Sequence, residues 1–90
     1  MSAVAEVRPL AVDLYGKLAD PCGAALTISI PAAGCTVGAL RALVASHEAG
    51  LARLLATTSV RFCINDQVAA ESFCVVPGDD VAVIPPVSGG

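Results

Sequence analysis

The chemistry available to this 90-residue chain is concentrated in its last six residues, Pro85-Pro86-Val87-Ser88-Gly89-Gly90. Gly89 and Gly90 place no side chain beside the terminal carboxylate, so this end can enter a channel too narrow for a bulkier residue. The reactive group is then the Gly90 α-carboxyl, which is ionised at neutral pH (reference pKa about 3.3–3.7) and is a poor acyl electrophile. It must be activated before it reacts, for instance as an acyl-adenylate, from which a sulfur or nitrogen nucleophile displaces AMP. The competing reading is that Ser-Gly-Gly simply frays like a linker. The residues before it favour the first reading. Asp79-Asp80-Val81-Ala82-Val83-Ile84 reads as a turn feeding a strand, and Pro85-Pro86 ends that strand, because proline has no N–H for a ladder and favours extended geometry. Six extended residues reach about 20 Å, enough to deliver Gly90 into another protein's active site.

Other reactive side chains are few. Cys22, Cys35, Cys63 and Cys74 include no C-x-x-C pair, and His47 is the only histidine, so neither a zinc knuckle nor a redox pair is encoded locally. The N-terminus has Glu6, Arg8 and Pro9 where a signal peptide needs an apolar stretch. The thiols are therefore expected to be reduced, to act as small hydrophobes and to carry no function. No metal or bound cofactor is implied, and a cytoplasmic location follows from the same reasoning. A net charge of −3 gives no nucleic-acid footprint. No apolar run reaches the roughly 18 residues that cross a bilayer.

The elements that must position the tail are those of one small domain. A chain of this length buries only about 60–65% of its unfolded surface. The composition is nevertheless 56% hydrophobic with only 3% aromatic residues. The core must therefore be aliphatic, drawn from Ala, Val, Leu and Ile, and the surplus suggests a face covered by a partner. Leu10, Val12 and Leu14 alternate with polar or small residues, as do Leu26, Ile28 and Ile30, which predicts two strands forming a hairpin with a turn over 17–25. Thr36 is placed to cap a helix over Val37–Glu48, whose apolar stripe is Val37, Leu40, Leu43 and Val44. Gly50 is expected to break it, with Leu51, Leu54 and Leu55 adding a further turn or two. Val60–Ile64, Val68–Ala70 and Val81–Ile84 read as strands separated by turns at Asn65-Asp66 and Pro77-Gly78-Asp79. The pattern is an α+β domain over 1–84, with a mixed sheet, one main helix across a face and residues 1–7 loosely held, followed by a flexible tail over 85–90.

With these residues in place the chain resembles the β-grasp, ubiquitin-like sulfur carriers, specifically the molybdopterin synthase small-subunit family, from about Leu10 to Gly90. Three segments carry the likeness: Thr36-Val37-Gly38-Ala39-Leu40, Ile64-Asn65, and Gly78-Asp79-Asp80-Val81 continuing to Gly90. The resemblance implies adenylation of Gly90 by an ATP-using, ubiquitin-activating-like enzyme, then conversion to a thiocarboxylate. The loaded tail would enter the synthase large subunit, within a heterotetramer of two small and two large subunits. There it would donate one of the two dithiolene sulfurs to a pyranopterin precursor. The chain would not be an enzyme alone. Gly90 and Gly89 would do the chemistry, and Pro85, Pro86, Val87 and Ser88 would line the partner's channel.

Three other readings stay open. They are a carrier for thiamine, cysteine or tRNA thiolation, a ubiquitin-like modifier that forms isopeptides, and an inert interaction domain. For partner binding, alternation puts Leu10, Val12, Leu14, Val81 and Val83 on the helix-covered face. Tyr15 and Ile84 then fall on the opposite face, and Val68 matches a third docking position implied by the resemblance. These three residues are expected to form an exposed apolar patch beside the tail.

Overall fold

The computed structural model describes residues 6–20, 23–57 and 59–85. The first strand, β1 (Val7–Leu14), pairs antiparallel with β2 (Ala25–Pro31), from Val7 opposite Pro31 to Asp13 opposite Ala25. Val7, expected to be loosely held, is thus already in the ladder. Pro9 is tolerated in mid-strand because its missing N–H would face away from β2. Between these strands the chain makes a 3-10 turn over Gly16–Ala19 that buries Leu18, an anchor that the alternation pattern did not reveal.

After β2 comes the two-residue β3 (Cys35–Thr36), then helix α1 (Val37–His47). The expected N-cap is present, with Ala39 N–H donating to Thr36 Oγ1 at 3.1 Å. Helix α1 stops at Glu48 and not at Gly50, which lies within a second helix, α2 (Ala49–Thr57). The physical reason is local. Glu48 is extended (φ −153°, ψ 129°), its carboxylate accepts from Gly50 N–H at 3.2 Å, and its carbonyl accepts from Ala52 N–H at 2.9 Å. Glu48 therefore caps a new helix, and the layer over the sheet is two helices where one main helix was expected.

The remaining strands are β4 (Arg61–Ile64), β5 (Gln67–Val68), β6 (Cys74–Val75) and β7 (Val81–Ile84). Strands β4 and β5 are joined by a two-residue turn in which Asn65 and Asp66 both have positive φ (52° and 70°), the twist-matched hairpin geometry that Asn and Asp tolerate. The five-stranded sheet has the order β2-β1-β7-β4-β5, and β3 and β6 form a separate ribbon. Strand β7 runs parallel to β1 and antiparallel to β4, so the sheet is mixed, and the last strand is central. This is the ubiquitin-like β-grasp fold.

One face of the sheet meets the helices. Leu10, Val12, Leu14, Leu26, Ile28, Ile30, Phe62, Ile64, Val81 and Val83 join Val37, Leu40, Val44 and Leu51 in one buried cluster. Leu, Val and Ile with Phe62 supply that core, and no alanine among the described residues is fully buried. No buried polar side chain occurs among the described residues. The interior has no chemistry to offer.

Candidate functional site: the root of the tail and the open sheet face

Because β7 is central, the chain after Ile84 leaves from the middle of the sheet edge and not from a periphery. Its root is defined by two contacts. Tyr15 N–H donates to Val83 O at 3.2 Å, extending the β1–β7 pairing by one bond beyond Leu14. Pro85 then lies against Gly16, where an added Cβ would come within 3.1 Å of the Pro85 Cγ. Gly16 also has φ +61°, a region that L side chains rarely adopt. The residue opposite the tail root therefore must be small on both counts. Sequence reading missed Gly16; its only signal was a glycine directly after a strand. Pro86, Val87, Ser88, Gly89 and Gly90, named above as channel-lining and reactive residues, lie outside the described residues.

The motif segments that carried the family resemblance turn out to be the braces of this root. Asn65 Nδ2 donates to Asp79 Oδ1 at 3.2 Å, Asp80 N–H donates to Asn65 Oδ1 at 2.9 Å, and Asn65 N–H donates to Asp80 O at 2.8 Å. Asp79 Oδ2 also accepts from Val76 N–H at 2.9 Å. The hairpin turn thus holds the entry of β7 in register. At the other motif, Val37 N–H donates to Phe73 O (2.9 Å) and Gly38 N–H to Glu71 O (3.0 Å), so the 71–73 loop satisfies the first amides of α1. An ion pair between Arg41 Nη2 and Glu71 Oε2 (2.6 Å) fixes the same loop, with the guanidinium 4.9 Å from the Phe62 ring centre. Thr36, Val37, Gly38, Asn65, Asp79 and Asp80 thus each make a structural hydrogen bond.

The face away from the helices is open. Register places Asp13, Ala82, Cys63 and Val68 in one row across β1, β7, β4 and β5, with Ile84 opposite Arg61 one step along. Tyr15 (53% exposed) and Val68 (60%) are open to solvent and Ile84 is half-buried. All three side chains belong to this face, but Tyr15 and Val68 stand three interstrand spacings apart, about 14 Å. They line different depressions. Tyr15 joins Asp13, Cys63, Asp66, Asp80 and Ala82 around a shallow one of about 200 Å³. Val68 joins Ile64, Ala69, Ala70 and Phe73 around another of about 270 Å³. Phe73, 48% exposed, is an apolar surface residue that sequence reading left out. The face is thus broad, with Ala82 and Ile84 beside the Arg61 cation at its middle and an acidic rim at Asp13, Asp66 and Asp80.

The described cysteines, Cys35, Cys63 and Cys74, are free thiols. Burial, with the neighbouring Cys74 second, pushes the Cys35 thiol up from its ordinary value, which disfavours the nucleophilic thiolate. Cys22 lies outside the described residues. No group of three or more potential metal ligands occurs among the described residues, and none of their helices is long and apolar enough to cross a membrane.

A mixed sheet grasping two helices, with its last strand central and followed in sequence by a diglycine end, defines the ubiquitin-like β-grasp class. Residues 12–90 match the ThiS family model, and the chain belongs to the ThiS family. Family and fold together make it a sulfur carrier or a ubiquitin-like modifier. Among solved structures it is similar to SAMP1 from Haloferax volcanii, at 26% identity and TM-score 0.67, covering 92% of this chain and 100% of that one. A crystal structure of the H. volcanii small archaeal modifier protein 1 matches at 24% identity and TM-score 0.68, covering 88% and 98%. A further H. volcanii protein, solved in solution, matches at 20% identity and TM-score 0.74, covering 93% and 88%. No curated protein matches the sequence significantly.

Proposed function

We propose that this protein is the small, sulfur-donating subunit of a molybdopterin synthase, carrying a thiocarboxylate on Gly90. The observation that supports this reading most directly is Pro-Pro-Val-Ser-Gly-Gly following a central strand in a chain matched by the ThiS family as far as residue 90. An ATP-dependent adenylating enzyme activates the Gly90 carboxyl, a sulfur donor displaces AMP, and the loaded tail passes its sulfur to a pyranopterin precursor inside the large subunit. The chain's own part is to present the tail at a fixed point and to offer the partner a docking face. That face offers Tyr15, Ala82 and Ile84 as apolar contacts, with the Arg61 cation beside Ile84 and an acidic rim at Asp13, Asp66 and Asp80, so it suits a partner that sets basic groups against that rim.

A second reading has its own support. The printed name of one similar structure is a small archaeal modifier protein, which favours a modifier that forms isopeptides with lysines from the same acyl-adenylate. Intact mass after incubation with an activating enzyme, ATP and a sulfur source separates the two. Exchange of one terminal oxygen for sulfur adds about sixteen mass units by atomic arithmetic, and transfer of that sulfur to a pyranopterin precursor by the complex with a large subunit establishes the first reading. Larger lysine-linked conjugates without sulfur transfer establish the second. An unchanged mass under conditions that load a known carrier overturns both.

A further inference from the structure

Strand β2 is the long free edge of the sheet, and its polar groups are phased by two hydrogen bonds. Ala32 N–H donates to Glu6 O at 2.8 Å and Leu14 N–H donates to Ala24 O at 2.7 Å. With the β1–β2 register, these make Leu26, Ile28 and Ile30 the residues that exchange bonds with β1. Ala25, Thr27 and Ser29 then direct their N–H and C=O groups away from the sheet, three donors and three acceptors. Among the described residues nothing bonds to these groups. Pro31, next in the same phase, has no N–H, and its carbonyl already accepts from Gly34 N–H at 2.8 Å. The usable edge therefore ends at Ser29.

Natural sheets guard such edges with charge, with extreme shortness or with bulges. The other edge of this sheet, β5, has only two residues. Strand β2 has seven, and there is no charged residue anywhere between Asp20 and Arg41. In a chain of net charge −3, this is the side on which another copy can approach without like-charge repulsion.

We propose that the β2 edge is a self-association surface, on which two copies pair antiparallel about a dyad at Thr27 to give one continuous sheet. In that register Ala25 faces Ser29 of the second copy, Thr27 faces Thr27, and Ser29 faces Ala25. All six outward groups of each copy are then satisfied, and Pro31 terminates the ladder at each end. A dyad through Ile28 instead sets Ala25 against Pro31, leaving the Ala25 carbonyl without a donor and demanding a Pro31 carbonyl that is already engaged. On the outer face the Thr27 side chains are directly opposed, a favourable cross-strand pair. Leu26 and Ile28, the buried residues at this margin, interdigitate with their counterparts on the inner face.

The test is a concentration series by sedimentation velocity. The unmodified chain is expected to rise from its mass of 8.9 kDa towards twice that value. Thr27→Lys and Thr27→Glu each place like charges face to face at the dyad, and each is expected to need roughly fivefold higher concentration to dimerise. An equimolar mixture of the two variants should recover association as a heterodimer. Hydrogen exchange on the unmodified chain supplies a readout independent of variant folding, with the amides of Ala25, Thr27 and Ser29 gaining protection only at dimer-forming concentration. An unmodified chain still monomeric at about 1 mM, variants that dimerise as well as the parent, or protection appearing elsewhere would each overturn the proposal.

Discussion

At the residue scale, this molecule separates reactive from supporting positions by the absence of side chains. The proposed acyl chemistry needs nothing beyond the carboxyl of Gly90 and a slender approach at Gly89. Deleting Gly90, or replacing Gly89 with a bulky residue, is expected to abolish adenylation and sulfur loading in a mass assay. The circular dichroism spectrum should stay unchanged, because the variant keeps every member of the described buried cluster, from Leu10 to Val83. Gly16 is needed for a different reason. Gly16→Ala brings a Cβ to 3.1 Å from Pro85 in a positive-φ conformation, a backbone cost of about 1–2 kcal/mol. It is expected to lower stability by that order in denaturant titration and to slow tail loading, since the tail root must shift. Wild-type loading by Gly16→Ala would show that Gly16 does not set the exit path. The cysteines are expected to be dispensable. A chain with all four replaced by serine or alanine should load sulfur at Gly90 normally if it folds, and selective loss at one position would point to a persulfide relay.

At the element scale, the short β7 determines both the fold and the site, with adjacent residues assigned to opposite tasks. Val83 is fully buried and Ile84 half-buried on the open face. Ile84→Asp places its carboxylate opposite Arg61 on β4, an oppositely charged cross-strand pair. The isolated domain should therefore keep its melting temperature to within a few degrees, while partner binding weakens by about 2 kcal/mol or more, as for an apolar hot spot. Val83→Asp puts an unpaired charge in an apolar core and should unfold the domain. The reverse outcome would mean the register is wrong by one residue. The hairpin turn makes a parallel case. Asn65→Ala removes two side-chain bonds to Asp79 and Asp80 and leaves a β-carbon residue at φ 52°. It is expected to cost about 1–3 kcal/mol in thermal or denaturant melts.

At the scale of the whole molecule, the body and the tail have separable duties. Among the described residues the core is entirely apolar, built of Leu, Val and Ile with Phe62, and the proposed chemistry lies at the chain's end. Removing residues 86–90 keeps the whole described buried cluster, from Leu10 to Val83. Stability is expected to change by no more than about 0.5 kcal/mol, measured by denaturant titration, while all loading is lost. The open sheet face and the free β2 edge lie on different parts of the domain. A copy paired through β2 therefore leaves Tyr15, Ile84 and the tail root accessible to the proposed partners.

Much of this was legible in the order of the residues. Period-2 alternation at Leu10–Leu14 and Leu26–Ile30 is a consequence of strand pleat alone. Thr36 ahead of Val37, Leu40 and Val44 announces a capped helix, and Pro85-Pro86 announces the end of a strand. These follow from steric and hydrogen-bonding preferences that act over a few residues. The proposal for the diglycine end likewise rests on sequence, since residues 86–90 lie outside the described residues. What local pattern could not decide was every pairing between distant segments. Only the folded chain makes β7 central and parallel to β1, joins Cys35-Thr36 to Cys74-Val75, and sets Asn65 against Asp79 and Asp80. It also ends α1 at Glu48 and lays Pro85 on Gly16. Such contacts form only when loop closure across tens of residues is offset by burial of the whole core, so no short window of sequence contains the information that selects them.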